Sequence, residues 1–275
     1  MKRRDLFKGA LAAGSLATLS ASGDAAPRGV VDTNVSLFRW PFRRLPLDET
    51  GKLVEKLRSL GITTALAGTF EGIFHRDLTA ANDRLSAECA RFPELIPVAS
   101  VDPSMPGWER DLAGAKIAIR LHPGYHGYAL DDPRIHELLI AAAQRALLVQ
   151  LTVALEDPRT QSDLVRVPEV DLTPLPAAMA KAPSARVQLL NWKGRGSLTN
   201  TLRDLPNLSV DTALADGTDA VVALVKTFGP ERVMLGTHAP FLIPEAALLR
   251  VHEAGLGEAD LRAVVRENGE AWIRM

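Results

Sequence analysis

The sequence predicts an α/β fold, a single-domain (β/α)8 TIM barrel, from three observations. Short apolar runs rich in Val, Ile and Leu recur eight times, and continuous apolarity is typical of strands buried on both faces. Segments with helical apolar periodicity separate these runs, and alternating strands and helices indicate a parallel sheet. The chain has 275 residues, and such a barrel typically needs about 250. An open doubly wound sheet is the alternative, but residues 32–36 contain no Gly-rich nucleotide-binding sequence.

The predicted elements follow one another in a regular order along the chain. A helix with Leu53, Leu57 and Leu60 on one face follows the first strand, and Gly61 is expected to end it. Gly229 is expected to end the helix of the seventh unit in the same way. The predicted strands are residues 29–35, 62–68, 96–101, 117–121, 148–153, 187–191, 208–211 and 233–236.

Composition and charge exclude several classes of partner. The formal net charge is −1, so no basic excess is available to neutralise phosphates, and nucleic acid is not an expected partner. No apolar run reaches the ~20 residues of a membrane span, so no stable membrane anchor is expected. The single cysteine, Cys89, lies in a helical context and is expected to be a buried apolar side chain. A small molecule is the partner that remains, and no feature of the sequence predicts an oligomeric state.

The first 26 residues resemble an export signal. Lys2, Arg3 and Arg4 form a positive segment, residues 6–21 are mildly apolar, and Ala26 closes a small-residue end. The paired arginines before an apolar residue resemble the twin-arginine signal, which predicts export to a bacterial periplasm. A solvated basic N-terminus followed by an ordinary Ala-rich helix is the alternative. The barrel domain is therefore assigned to residues 27–275.

Polar residues follow the predicted strands at their carboxyl ends, where barrel enzymes place their chemistry. Buried polar groups cost free energy unless they are paired, so their concentration at one rim favours a functional site. The candidates at this rim, in chain order, are Asp32, Asn34, Arg39, Arg120, His122, Tyr125, His126, Glu156, Arg159, Asn191, Asp211 and His238.

Three of these residues are the candidates for catalysis. His238 and His122 titrate near neutrality and could serve as acid and base, with rim histidines bonded to a neighbouring loop as the alternative. Asp32 is the third candidate. It could orient His238, as could Asp211, although either could instead accept hydrogen bonds from strand or loop amides.

The other candidates are predicted to bind substrate. Arg120 lies two residues before His122 on one strand, so both can face the interior. Its guanidinium could clamp a carboxylate, and a structural ion pair with Asp102 or Glu156 is the alternative. The remaining predicted contacts come from polar positions at strand ends, from a loop expected to cover the mouth, and from charges after strands one and five: Asn34, Asn191, Tyr125, His126, Glu156, Arg159 and Arg39.

Four short sequences, taken in this order, resemble the amidohydrolase-related family, which includes the carboxymuconate-semialdehyde decarboxylases. They are Val31-Asp32-x-Asn34-x-Ser36, Asn191-Trp192-Lys193-Gly194, Leu235-Gly236-Thr237-His238-Ala239-Pro240 and Glu267-Asn268-Gly269. The resemblance implies a barrel that acts as a hydrolase, or a lyase, on a small and carboxylated organic compound. It also implies a divalent metal such as zinc as the usual cofactor.

The metal-ligand set of that family is largely lost from this chain. Asn34 and Ser36 stand where the family has the two histidines of an Asp-x-His-x-His pattern, and no histidine occurs in residues 150–153. Asn191 replaces a histidine, and His238 replaces an aspartate. Neutral Asn and Ser oxygens are poor ligands for Zn²⁺. A metal-free, catalytically inactive barrel that binds a small molecule is therefore the alternative function.

Overall fold

The computed structural model describes residues 29–274, and its strands are all parallel. The predicted export segment, residues 1–26, lies outside the described residues. The strands are β1 (Val30–Leu37), β2 (Ile62–Thr69), β3 (Leu95–Pro97), β4 (Ala99–Ser100), β5 (Ala118–Leu121), β6 (Leu148–Thr152), β7 (Arg186–Leu190), β8 (Leu208–Asp211) and β9 (Val233–Met234).

The strands form a closed eight-stranded barrel, as predicted. They pair in the order β1-β2-β3 and β4-β5-β6-β7-β8-β9. The two sheets are continuous, because β3 and β4 are halves of one strand joined at Val98, whose N–H donates to Ala67 at 2.9 Å. At the other end, Thr33 donates to the carbonyl of Leu235 at 2.9 Å. The segment after β9 therefore pairs with β1 and closes the barrel.

Helices follow the strands and pack on the outside of the barrel. In the described part of the chain they are α1 (Thr50–Ser59), α2 (Glu71–Phe74), α3 (Leu78–Cys89), α4 (Trp108–Gly114), α5 (Pro123–His126), α6 (Pro133–Gln144), α7 (Leu175–Lys181), α8 (Thr199–Arg203), α9 (Ala220–Phe228), α10 (Pro244–His252), α11 (Glu258–Arg262) and α12 (Asn268–Arg274), with a 3-10 turn at Pro230–Arg232 and a π-helical turn at Ala263–Glu267.

The core lies between the barrel and these helices. Leu53 and Leu57 of α1 are buried against it, and Gly61 follows the helix with φ +74°, a conformation that glycine adopts without strain. Cys89 is buried as predicted, and burial raises the pKa of its thiol to about 12. Among the helices of residues 29–274, not one combines the length and the apolarity that crossing a bilayer requires.

Candidate functional site

Asp32 is fully buried and ties β1 to the segment after β9. Its Oδ1 accepts from the N–H groups of Asn34 and Thr237, both at 3.0 Å, and its Oδ2 accepts from the Thr237 hydroxyl at 2.5 Å. Both carboxylate oxygens are therefore occupied by the protein. Neither atom contacts His238, so Asp32 does not orient that imidazole.

Asn34, Asn191 and Asp211 form a second set of buried hydrogen bonds. The Asn34 Nδ2 donates to Asn191 Oδ1 and to Asp211 Oδ2, each at 2.7 Å. The Asn191 N–H donates to Asp211 Oδ1 at 3.0 Å, and its Nδ2 donates to the carbonyl of Ala154 at 2.7 Å. With Asp32 and Thr237 these three residues make the bonded cluster, in which the side chains satisfy one another across β1, β7, β8 and the segment after β9.

Arg120 extends its guanidinium across the barrel interior and is only 2% exposed. Its Nε donates to Gln150 Oε1 at 2.9 Å, and its Nη1 donates to the carbonyl of Val35 at 3.0 Å. The predicted alternative, a structural ion pair with Asp102 or Glu156, is wrong, because the partners of Arg120 are two backbone carbonyls, the Gln150 amide oxygen and the Ser36 hydroxyl. Direct binding of a substrate carboxylate by Arg120 stays a prediction.

His238 follows β9 in a left-handed backbone conformation, with φ +56°. Its Nε2 lies 2.7 Å from the carbonyl of Leu155, and its ring stacks on Phe241 with 5.0 Å between centroids. Its Nδ1 is buried without a hydrogen-bond partner among the described residues. Asn191 is also left-handed, with φ +59°. Such strain in residues other than glycine concentrates at functional sites.

His122 and Thr152 stand side by side at the ends of the paired strands β5 and β6. Both ring nitrogens of His122 and the hydroxyl of Thr152 are buried without a partner in residues 29–274. The hydroxyl of Tyr125 is also buried without a partner among these residues, and Tyr125 and Thr152 line one narrow cleft. Leu155, whose carbonyl lies 2.7 Å from His238 Nε2, lines the same cleft, and with His238 Nδ1 these three side chains are called the unpartnered cluster. Buried polar atoms without partners are rare, and each indicates a contact still to be made.

His126 lies near the unpartnered cluster and is bonded through one ring nitrogen, while its Nδ1 is buried without a hydrogen-bond partner among the described residues. It ends the short helix α5, and its ring centroid is 5.8 Å from that of His122. Its Nε2 lies 3.1 Å from the carbonyl of Gly72, and its Nδ1 lies 3.7 Å from Asp102 Oδ2. The loop expected to cover the mouth is thus a single helical turn, which contacts helix α2 after β2.

Aromatic side chains cover the mouth of the barrel, and among them only Tyr125 belongs to the loop that was expected there. Trp40 lies at its centre and is 2% exposed, with Phe70 at 5.4 Å and Phe241 at 5.1 Å between ring centroids. The available indication was the placement of the few aromatic residues in loops that follow strands. The aromatic cover comprises Trp40, Phe42, Phe70, Phe74, Tyr125 and Phe241.

The charged residues predicted around the rim fall into two groups. Glu156 is buried and pairs with Arg43, whose guanidinium also lies 5.4 Å from the Phe241 centroid, so this pair borders the aromatic cover. Arg159 is 87% exposed and pairs with Asp157 at 2.7 Å. Arg39 is exposed as well. The structure therefore brings Glu156 to the mouth and leaves Arg159 and Arg39 at the surface.

Burial raises the pKa values of the acidic side chains and lowers those of the histidines, because it favours the neutral form of each group. It raises the pKa of Asp32 to about 6, against the hydrogen bonds from Thr237 and Asn34. It raises the pKa of Asp211 to about 7, against the hydrogen bond from Asn34. Burial lowers the pKa of His238 to about 4, and burial with the charges of His126 and Arg120 lowers the pKa of His122 well below its usual value. Both imidazoles are therefore neutral at pH 7.

The donor set does not fit a divalent metal. Among residues 29–274, no group of three or more His, Cys, Asp and Glu side chains is placed to hold one. The oxygens of Asp211 and Asn191 that face Asn34 already accept its amide N–H groups. The guanidinium of Arg120 adds a positive charge to the same interior. A metal ion needs lone pairs from several converging side chains, and here the carboxylate and amide oxygens are already bonded and a cation lies in the same interior.

Comparison with known families gives a match to one family model. The sequence model of the family described as Amidohydrolase matches residues 41–274. No protein among those with curated descriptions has a sequence that matches the chain.

Solved structures share the fold at low sequence identity. The 5-carboxyvanillate decarboxylase of Sphingomonas paucimobilis is 15% identical with a TM-score of 0.71, over 90% of this chain and 99% of the other. An uncharacterised TIM-barrel protein of Bordetella bronchiseptica is 13% identical with a TM-score of 0.70, over 90% and 98%. The 2,6-dihydroxybenzoate decarboxylase of Rhizobium is 14% identical with a TM-score of 0.64, over 90% and 99%.

Proposed function

The chain belongs to the amidohydrolase family, and on that premise we propose that it is a lyase that removes a carboxyl group from a small aromatic acid. The observation that carries the proposal is the unpartnered cluster at the carboxyl ends of the strands, where barrel enzymes act. Decarboxylases of carboxylated aromatics among the structures of similar fold support this substrate class. The fold alone would leave hydrolysis equally open.

The reaction requires the protein to transfer one proton. The bond from the ring carbon to the carboxylate breaks, carbon dioxide leaves, and the electron pair left on the ring carbon takes up a proton. A neutral imidazole can donate a proton from one nitrogen and accept one at the other. His122 and His238 are neutral, buried and incompletely bonded, so we assign them the transfer of this proton.

The environment of the cluster suits an aromatic acid. The rings of the aromatic cover offer faces and edges for stacking, and Phe241 already stacks on His238. Arg120 contributes a buried positive charge that lowers the pKa values of both His122 and His238, so its field reaches the cluster. An anionic ligand is favoured in that field. The substrate enters only if the aromatic cover moves.

The test is turnover by the full chain. We expect release of carbon dioxide from at least one member of a panel of hydroxylated benzoates, followed by NMR of the product. His122→Asn and His238→Asn should each lower the rate about 10²–10⁴-fold, as removal of a proton-transfer group does. His252→Asn, at an exposed helix end, is the matched control and should leave the rate unchanged.

A second function is binding without turnover, and the closed mouth favours it. Trp40 and Phe70 are almost fully buried, which suits a site that retains a ligand. Saturable binding of an aromatic acid by the folded chain, with no carbon dioxide released from any member of the panel, would establish this function and contradict the lyase.

A further inference from the structure

We infer that Arg120 is a built-in cation, which supplies the positive charge at the centre of this barrel in place of a metal ion. The inference concerns the interior of the barrel, and it does not depend on which reaction the chain performs. It goes beyond the loss of metal ligands, because it assigns the vacated electrostatic role to a particular side chain.

The first support is the contact between Arg120 and strand β1, in which Asn34 and Ser36 stand, by the family resemblance, in place of two histidines. The Nη1 of Arg120 donates to the carbonyl of Val35 at 3.0 Å and lies 3.3 Å from the hydroxyl of Ser36. Ser36 stands where the family has a metal-binding histidine. The cationic group is therefore in contact with a former ligand position.

The second support is charge balance. Arg120, Asp32 and Asp211 are all buried, and the two carboxylates raise the pKa of the guanidinium against the larger effect of its burial. A buried carboxylate destabilises the fold unless a cation or hydrogen bonds compensate it. The other titratable groups within reach of Arg120 are His122 and His238, and both are neutral. Arg120 is thus the cation whose charge acts on these two acids through the barrel interior, without a direct ion pair.

The third support is the space that β2 leaves for the guanidinium. A Cβ on Gly68 would lie 2.5 Å from Arg120 Nη1 and 2.9 Å from its Cζ. Gly68 has no positive φ, so its backbone does not demand glycine. The missing side chain at this position is what lets a guanidinium occupy the interior. A histidine, serine or alanine there would displace it.

The test is a double-mutant cycle on the full chain, read as urea unfolding midpoints. At pH 9, where Asp211 with its pKa of about 7 is ionised, Asp211→Asn in the wild-type background should lower the midpoint, because Arg120 loses an anion. In the Arg120→Met background the same change should raise the midpoint, or lower it by less than about half as much, because no cation is then left unpaired. Equal losses in the two backgrounds would overturn the inference.

A second variant keeps the inference testable if Arg120→Met does not fold. Gly68→Ala should lower the midpoint and Gly51→Ala should not, since a Cβ on Gly51 of helix α1 meets no atom within 4 Å. If both alanines have the same effect, no space is reserved for the guanidinium and the inference fails.

Metal content is the third measurement. After equilibration with Zn²⁺ and gel filtration, the wild type should retain less than about 0.1 equivalent, because its interior already holds a cation. Stoichiometric zinc that is lost in Asp211→Asn would show that a metal, and not Arg120, balances the carboxylates.

Discussion

The bonded cluster and the unpartnered cluster share one rim of the barrel and differ in how their polar atoms are satisfied. In the bonded cluster, Asn34 and Asp32 form hydrogen bonds of 2.5–3.0 Å with each other, with Asp211 of β8, and with Asn191 and Thr237, which follow β7 and β9. In the unpartnered cluster, His122 and Thr152 are equally buried and make no side-chain hydrogen bond within residues 29–274. The difference separates polar residues that hold the barrel closed from polar residues that are free to meet a ligand.

The largest effect on stability should come from the bonded cluster. Asn34→Ala removes two hydrogen bonds and leaves oxygens of Asn191 and Asp211 buried without a donor. We expect a loss of about 2–4 kcal/mol in the free energy of unfolding, measured with urea. Asn200→Ala, at an exposed position, is the control and should change it by less than about 0.5 kcal/mol. A loss as small at Asn34 would mean that the cluster does not hold the strands together.

The second prediction concerns pH and the buried carboxyl of Asp32. Its folded pKa of about 6 lies above the ordinary value of 3.8, so the unfolded chain releases its proton first as pH rises. The stability that this group contributes is complete below pH 3.8 and is lost as pH rises through 6. Asp32→Asn keeps an oxygen that can accept from the N–H groups of Asn34 and Thr237, loses the acceptor of the Thr237 hydroxyl at every pH, and removes the charge. Its unfolding free energy relative to wild type should therefore increase between pH 4 and pH 8, by about 2–3 kcal/mol.

A variant whose stability relative to wild type is the same at pH 4 and pH 8 would show that Asp32 is ionised normally in the folded chain. Asp77→Asn is a suitable control, since Asp77 caps α3 at an exposed position.

The third prediction concerns the unpartnered cluster, where a substitution should raise the stability and the gain should grow as pH falls. His122→Phe removes a buried imidazole that makes no hydrogen bond and replaces it with a ring of similar shape. The pKa of His122 is lowered in the folded chain, so wild type loses stability as pH falls below the ordinary value of 6.5. The variant should therefore be more stable by about 1 kcal/mol at pH 8, and by more at pH 5. Ligand binding should be lost in the same variant.

Urea unfolding at the two pH values checks the stability, and calorimetric titration checks the binding. Lower stability of His122→Phe at both pH values would place His122 among the residues that hold the fold.

The smallest effect is expected at the surface. Arg159→Ala removes an exposed pair with Asp157, and such pairs contribute about 0–1 kcal/mol. Turnover and ligand affinity should also be unchanged, because the Arg159 side chain is 87% exposed and lies outside both clusters. A clear loss of affinity in isothermal titration would show that Arg159 contributes to ligand binding.

The sequence was sufficient to predict the barrel because the strands are local apolar runs. Seven of the predicted strands are found with ends shifted by at most two residues, and the third is split at Val98. Pro97 ends β3, and proline has no N–H to continue the ladder. The helix end at Gly61 followed from the conformational freedom of glycine.

The division of the rim into two clusters could not be predicted, because it depends on contacts between residues far apart in the chain. Asn34 and Asn191 are separated by 157 positions, and no local pattern indicates that they bond. For Arg120, a substrate carboxylate was the predicted partner and Asp102 or Glu156 the alternative; within the protein its partners include the carbonyls of Val35 and Leu66 and the amide oxygen of Gln150. Burial and geometry decide these choices, and both come from the closed barrel.

The aromatic cover has a consequence for the timing of ligand exchange. Trp40 touches five other rings, so a molecule passing the mouth must separate several ring contacts that form together. Entry and exit rates are then governed by the packing of these rings, and affinity is governed by the groups beneath them. Two ligands of equal affinity would therefore have equal residence times only if they disrupted the ring contacts to the same extent. The fluorescence of the Trp40 indole would report each passage.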